Sequence, residues 1–305
     1  EAIAEDNCGV ADVVYSIGGN PIDFPYNFPV GSTTVNVLVT DIHGNTSACS
    51  FVVNIADQEL PQVTCPLPSN PYSTDPDECM AVLSFAATST DNCGVAGTTY
   101  WINDDAITFP YAFPVGSTTV VAVVTDIHGN VSDCSFTVVV EDLQVPVIER
   151  PVPVASYDAD AGACHATLSF AALAFDNCGV ADIVYLVDDE VISFPYDFPV
   201  GTTTVVIIAT DIHGNTSTSL FTVVVQDVEP PVVSCPVPAN PYPTDEGACS
   251  STLSFAATST DNCGIAGAVY SVNGNAITFP FVFPVGTTIV DVVVTDIHGN
   301  TAGCS

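Results

Sequence analysis

Apolar and polar residues alternate in short bursts along this chain. Residues 81–87 read Ala-Val-Leu-Ser-Phe-Ala-Ala, 117–126 read Ser-Thr-Thr-Val-Val-Ala-Val-Val-Thr-Asp, and 134–142 read Cys-Ser-Phe-Thr-Val-Val-Val-Glu-Asp. Such stretches are rich in Val, Thr and Phe, alternate with period two in part, and are bounded by Gly, Pro, Asn and Asp, which is the pattern of strands separated by turns. No segment sustains a helical period with caps at its ends. Over residues 57–141 the pattern predicts a first strand split by prolines (62–66 and 71–74), then strands at 79–87, 96–103, 106–112, 117–126 and 133–141.

That succession is then copied. Thr-Asp-Ile-His-Gly-Asn stands at 40–45, 125–130, 210–215 and 295–300, a period of 85 residues. Asp6-Asn7-Cys8-Gly9 returns from Asp91, Asp176 and Asp261, and the block 24–34, Phe-Pro-Tyr-Asn-Phe-Pro-Val-Gly-Ser-Thr-Thr, returns from Phe109, Phe194 and Phe279. Self-similarity at a fixed period marks a tandem array. The expected fold class is all-β, a line of immunoglobulin-like β-sandwich modules. Expected modules are 1–56 (partial), 57–141, 142–226, and 227–305, the last without its final strand, within a longer polypeptide. Thr-Asp-Ile-His-Gly-Asn becomes the last hairpin turn of each module, where Gly129 takes positive φ and Asp126 or Asn130 caps turn amides.

Composition narrows the partners. The 305 residues carry 35 acidic and one basic residue, Arg150, for a net charge of −34. Nucleic acid and anionic membranes are bound through Lys and Arg, so neither is an expected partner. The lack of lysine excludes Schiff-base chemistry and Lys–Asn crosslinks. With 48% apolar and only 12% charged residues the chain can bury a core. Twelve cysteines at fixed positions in the repeat, without metal-finger spacing, read as disulfides of an oxidising compartment, hence an extracellular protein, at the cell surface or secreted.

The ordered motifs Asp-Asn-Cys-Gly, Phe-Pro-Val-Gly-x-Thr-Thr-x-Val, Thr-Asp-x-x-Gly-Asn and Cys-Ser-Phe-x-Val-x-Val, with Pro-Pro-x-x-x-Cys-Pro opening the next copy, resemble the HYR (hyalin repeat) family of extracellular immunoglobulin-like domains. The resemblance covers the whole chain. It implies adhesion or extracellular scaffolding, as in eukaryotic matrix proteins and very long bacterial surface proteins, and the near-identity of the copies leans towards a prokaryotic surface array.

Comparing the copies assigns cysteines. In the third copy Arg150 and Ser219 replace two cysteines together, which is what a bond between those two positions predicts: Cys65–Cys134 and Cys235–Cys304. The remaining positions then pair within a module as Cys79–Cys93, Cys164–Cys178 and Cys249–Cys263. An unbroken strand over 79–87 would hold such partners roughly 27 Å apart at about 3.3 Å per residue, too far for a disulfide. The alternative is Cys79–Cys178 and Cys164–Cys263, which would rivet the array.

Acidic groups converge where a linker meets two loops of the following module. The expected sets are Asp6, Asn7, Asp41 and Asn45; Asp57, Glu59, Asp91, Asn92, Asp126 and Asn130; Glu141, Asp142, Asp176, Asn177, Asp211 and Asn215; and Asp227, Glu229, Asp261, Asn262, Asp296 and Asn300. Carboxylates and amide carbonyls gathered without a local cation suit calcium, which takes six to eight oxygens; the plain reading is that Asp and Asn cap backbone amides. His43, His128, His213 and His298 are possible transition-metal ligands with the adjacent Asp, set against exposed turn residues. Asn45, Asn130 and Asn215 open glycosylation sequons. Phe109, Tyr111 and Phe113 read as core and edge packing, with a sugar-binding shelf as the rival.

Every polar cluster recurs in every copy, whereas a catalytic site is a unique constellation, so no enzyme is expected. The sequence supports a stiff extracellular filament or stalk, braced by calcium and disulfides, whose partners are neighbouring modules or copies of itself. The alternative is a multivalent adhesin for surface glycans or proteins; a donor-strand pilus ranks below both.

Overall fold

A computed structural model describes residues 2–305; Glu1, the first residue of the partial copy, lies outside them. Among the described residues every regular element is a strand and none is a helix. The chain forms two compact units, one comprising the residues before Pro76 with Met80–Glu141, the other Pro76–Cys79 with Asp142–Ser305.

The first unit contains β1 (Val10–Ile17), β2 (Asn20–Ile22), β3 (Gly31–Asp41), β4 (Thr46–Ile55), β5 (Gln62–Thr64), β6 (Tyr72–Ser73), β7 (Met80–Leu83), β8 (Thr88–Thr90), β9 (Val95–Ile102), β10 (Asp105–Ile107), β11 (Tyr111–Pro114), β12 (Gly116–Asp126) and β13 (Val131–Glu141). The first four make one antiparallel sheet in the order β2-β1-β3-β4. The rest form a sandwich. One layer is β10-β9-β12-β13-β6, antiparallel except where β6 runs parallel to β13; the other is made of the pairs β11-β7 and β5-β8.

Alternation along β12 buries Val120, Ala122 and Val124, and alternation along β13 buries Phe136, Val138 and Val140. Phe113 from β11 and Ala81 from β7 close the core from the other layer. The aromatic block is therefore packing. Phe113 is 0% exposed, and the rings of Phe109 and Tyr111 lie against Tyr100 and Phe113 at 4.8 and 5.0 Å between centroids.

Two expected strands are interrupted. The 79–87 stretch is a strand only over β7, and β8 starts past its end at Thr88, because Phe85 turns into the core, 5.3 Å from the Phe136 ring. There the Ala87 N–H is taken by the Tyr100 hydroxyl at 2.8 Å instead of a ladder carbonyl. The 106–112 stretch becomes β10 and β11 on either side of Pro110, which has no N–H to give to a ladder. As a result β10 pairs with β9 in one layer and β11 with β7 in the other. The tyrosine contact recurs with the period, from Ala172 to Tyr185 at 2.7 Å and from Ala257 to Tyr270 at 2.9 Å.

The second unit repeats the sandwich. Its five-stranded layer runs Tyr157–Asp158, Thr216–Gln226, Gly201–Asp211, Val180–Val187, Glu190–Ile192. His165–Leu168 pairs with Tyr196–Pro199, and Val147–Glu149 with Leu173–Phe175. Phe198, Val205, Ile207, Phe221, Val223 and Val225 fill the core. In the last copy the counterpart of β12 narrows to Asp291–Asp296, paired with Thr301–Cys304.

Replacing Tyr100 by Phe should cost about 1 kcal/mol, the worth of one hydrogen bond to an otherwise unpaired N–H. Phe113→Ala should cost about 3–5 kcal/mol for a large buried ring. Urea unfolding of the two variants checks the ranking.

Candidate metal centre

The inward phase of β12 does not stop at its last apolar residue. Val120, Ala122 and Val124 are followed in step by Asp126, 2% exposed. The turn that follows supplies the charge with donors. Asp126 Oδ1 accepts the N–H groups of His128 and Asn130, both at 2.8 Å, and Oδ2 accepts Asn130 Nδ2 at 2.6 Å. Gly129 completes the turn at φ 93°, a left-handed conformation suited to glycine. Burial pushes the Asp126 carboxyl up, but the Asn130 side chain and the turn amides outweigh it and hold the group below the ordinary carboxylate range. Asp211 and Asp296 are lowered in the same way; at Asp41 the Asn45 side chain leads the lowering.

Asp91 caps the neighbouring loop. Its Oδ1 accepts the N–H groups of Cys93 and Gly94 at 2.9 Å, while its Oδ2 is buried and has no hydrogen-bond partner. The two loops are tied by Ile127 N–H donating to the Gly94 carbonyl at 3.0 Å. Asp57, from the connection between β4 and β5, adds a third carboxylate. Its Oδ2 lies 3.1 Å from His128 Nδ1, and its Oδ1 accepts the Glu59 N–H. One oxygen from each of Asp57, Asp91 and Asp126 lies within 4.8 Å of the others.

The second unit builds the same triad from Asp142, Asp176 and Asp211, again within 4.8 Å. His213 Nδ1 sits 3.1 Å from Asp142 Oδ2, and Asp176 Oδ2 is a buried atom without a partner. In the last copy His298 Nδ1 is 3.2 Å from Asp227 Oδ2, and Asp261 Oδ2 is buried without a partner. Asp6 and Asp41 cap their own loops through Cys8, Gly9, His43 and Asn45.

Other expected ligands take different work. Asn130, Asn215 and Asn300 present Nδ2 rather than a carbonyl, donating to Asp126, Asp211 and Asp296 at 2.6–2.7 Å. The sequon nitrogens of Asn130 and Asn215 are thus committed, as is that of Asn45 to Asp41 at 2.7 Å. Asn7 and Asn92 are exposed, as are Glu59 and Glu141, whose carbonyl accepts the Thr74 N–H. Glu229 Oε2 accepts the Gly162 N–H at 2.8 Å. The rings of His128, His213 and His298 meet the linker aspartate, 71 residues away, not the neighbouring one. That contact was legible only as a shared period.

The cysteines overturn the three expected pairs within modules and follow the alternative. Cys65–Cys134 and Cys235–Cys304 form, each 69 residues apart. The remaining bonds are Cys79–Cys178 and Cys164–Cys263, each 99 residues apart, not Cys79–Cys93, Cys164–Cys178 and Cys249–Cys263. Cys93 and Cys249 are free, with Cys8 and Cys49. The physical reason is the path of the chain. Cys164 opens the strand His165–Leu168, and a further strand, Leu173–Phe175, intervenes before Cys178. Cys263 instead reaches Cys164 with a Cα separation of 4.8 Å, and its neighbour Asn262 donates Nδ2 to the Ala163 carbonyl at 2.8 Å. Asn177 makes the same contact to the Glu78 carbonyl beside Cys79 at 3.0 Å. Burial, then Asp57 and the charges of Asp91 and Asp126, push the free Cys93 thiol up.

Comparison with known proteins places these motifs. The HYR domain profile matches residues 56–140 and 226–305. Hyalin of Strongylocentrotus purpuratus is 33% identical over 317 aligned residues, covering 99% of this chain and 25% of that protein. Hyalin of Lytechinus variegatus is 32% identical over 288 residues, covering 90% and 51%. The chain thus spans between a quarter and about half the length of these relatives. Among solved structures, Drosophila N-cadherin EC1-4 aligns over 99% of this chain and 92% of that one at 12% identity and a TM-score of 0.31. Protocadherin gammaB7 EC3-6 aligns over 96% and 92% at 14% identity and a TM-score of 0.30.

Replacing both Cys164 and Cys263 by Ser should lower stability by about 4–5 kcal/mol, the chain-entropy value for a loop near 100 residues. Denaturant titration of the oxidised variant against the unaltered chain checks this, and matched curves would show that the bond adds nothing.

Proposed function

Because this chain belongs to the HYR domain family, we propose that it is a structural stretch of an extracellular adhesion-type repeat protein, in which calcium and disulfides brace successive repeats into a stiff filament or stalk. The bond Cys164–Cys263 supports the bracing, since it joins a residue of one 85-residue period to a residue of the next. Disulfides persist in oxidising compartments, which favours an extracellular location.

The observation that carries the calcium reading is the orphaned oxygen. Asp91 Oδ2 is buried without a partner where Asp57 and Asp126 also converge, Asp176 Oδ2 likewise beside Asp142 and Asp211, and the same atom of Asp261 is orphaned in the last copy. An anionic oxygen deprived of water and of donors is costly. Like charges held close together add repulsion, and Asp296 stays ionised through its turn donors. A hard divalent cation relieves both costs, and clustered carboxylate oxygens fit calcium. The holding residues would be Asp57, Asp91 and Asp126; Asp142, Asp176 and Asp211; and Asp227, Asp261 and Asp296.

The test is thermal unfolding of the oxidised chain in millimolar calcium and in EDTA. Calcium at about 100 times its dissociation constant should add about 2.7 kcal/mol per site. Asp261→Asn should remove part of that increment while leaving stability in EDTA unchanged or higher, since a repelling charge is lost. Superimposable curves with and without calcium would defeat the calcium bracing.

A further inference from the structure

In the short pair that opens each sandwich, the second and last copies carry the same two residues at the outward positions of the later strand, and the third copy departs from both. In the second copy β8 faces outward with Thr88 and Thr90, and the counterpart in the last copy faces outward with Thr258 and Thr260. In the third copy the same positions are Leu173 and Phe175, 57% and 58% exposed, on either side of the inward Ala174. Val147 lies directly across the ladder from Phe175 and is 69% exposed. With Val145, 54% exposed, Phe175 and Val147 line a depression of about 240 Å³ edged by Asp77, and Leu173 stands two residues away on the same face of the strand. Scattered exposed apolar residues are ordinary; a contiguous patch with a polar rim marks an interaction surface.

We propose that this face of the third copy docks a polypeptide segment that presents an apolar anchor side chain flanked by lysine or arginine. The apolar centre supplies a seat for the anchor, and the acidic rim supplies the complement for the cations. Asp77 is exposed at one edge, and Glu149, across from Leu173, is exposed at another. A second copy of this chain is the wrong partner. It carries no lysine, its single arginine donates to the Leu220 carbonyl at 2.6 Å, and both copies bear a charge of −34. The proposal stands apart from calcium bracing: Asp176 of the triad lies in the floor with its Oδ2 buried, whereas the apolar side chains Leu173, Phe175 and Val147 and the exposed charges Asp77 and Glu149 belong to no triad.

The probe is a fluorescent peptide of alternating lysine and leucine, KLKLKLKL, compared by anisotropy with KSKSKSKS of equal charge, in EDTA at about 150 mM salt, where long-range attraction is screened. The unaltered chain should bind the leucine peptide at least about ten-fold more tightly than the serine peptide, or about 1.4 kcal/mol. The double variant Leu173→Thr/Phe175→Thr carries the residues that other copies bear there and leaves the charge unchanged; it should bring that preference below about two-fold. Val147→Gln, the residue of the second copy, serves as an independent variant and should weaken it part of the way. Equal binding of both peptides by the unaltered chain, or an undiminished preference in the variants, would overturn the proposal. So would sedimentation showing that the unaltered chain dimerises and the double variant does not, which would assign the face to self-association.

Discussion

A buried aspartate at the end of a buried strand, Asp126, Asp211 or Asp296, is the constraint around which the second, third and last copies are arranged. The period of a sheet is indifferent to chemistry: once Val120, Ala122 and Val124 face inward, Asp126 faces inward too. A carboxylate there is tolerated only with donors, and the turn that follows delivers backbone amides and the Asn130 side chain at 2.6–2.8 Å. The unchanged Thr-Asp-Ile-His-Gly-Asn turn follows from that need. Asp supplies the acceptor, Gly the left-handed bend and Asn the side-chain donor, while His reaches the linker.

The Asp-Asn-Cys-Gly loop divides its labour with similar economy. Asp261 caps its own loop through Cys263 and Gly264, Asn262 donates to the Ala163 carbonyl, and Cys263 bonds Cys164. One hydrogen bond and one covalent bond, side by side, fix the same two backbone segments. Gly264 takes φ 122°, a conformation few other residues adopt, so the loop comes back on the path its neighbours need. The oxygen left over from capping, Asp261 Oδ2, is thereby buried without a partner of its own. A cation site would then follow from the loop as a consequence of how the repeat is folded.

Against this uniform background, departures in a single copy carry information. The third copy exchanges its outer disulfide for Arg150 and Ser219, and Arg150 Nη1 reaches the Leu220 carbonyl, so a hydrogen bond stands near where the sulfur bridge would be. The same copy turns Leu173 and Phe175 to solvent where its relatives in the chain have Thr. Core positions such as Phe198, Ile207 and Val223 are filled as in the second copy, so these exchanges leave the packing intact and alter only the surface and the stapling.

Much of this architecture was already written in one dimension. Period-two apolar bursts and 85-residue self-similarity determined an all-β array, the hairpin at Thr-Asp-Ile-His-Gly-Asn, and the pairs Cys65–Cys134 and Cys235–Cys304, because those depend on local alternation and on comparing copies. Alternation could not show where Phe85 and Pro110 break a strand, since each break is decided by a ring or a missing N–H meeting the opposite layer. Nor could spacing along the chain choose between Cys178 and Cys263 as the partner of Cys164. That choice depends on which backbone segments lie within about 7 Å of one another, and only the folded path, with Asn262 held to Ala163, brings residues 99 positions apart into that range.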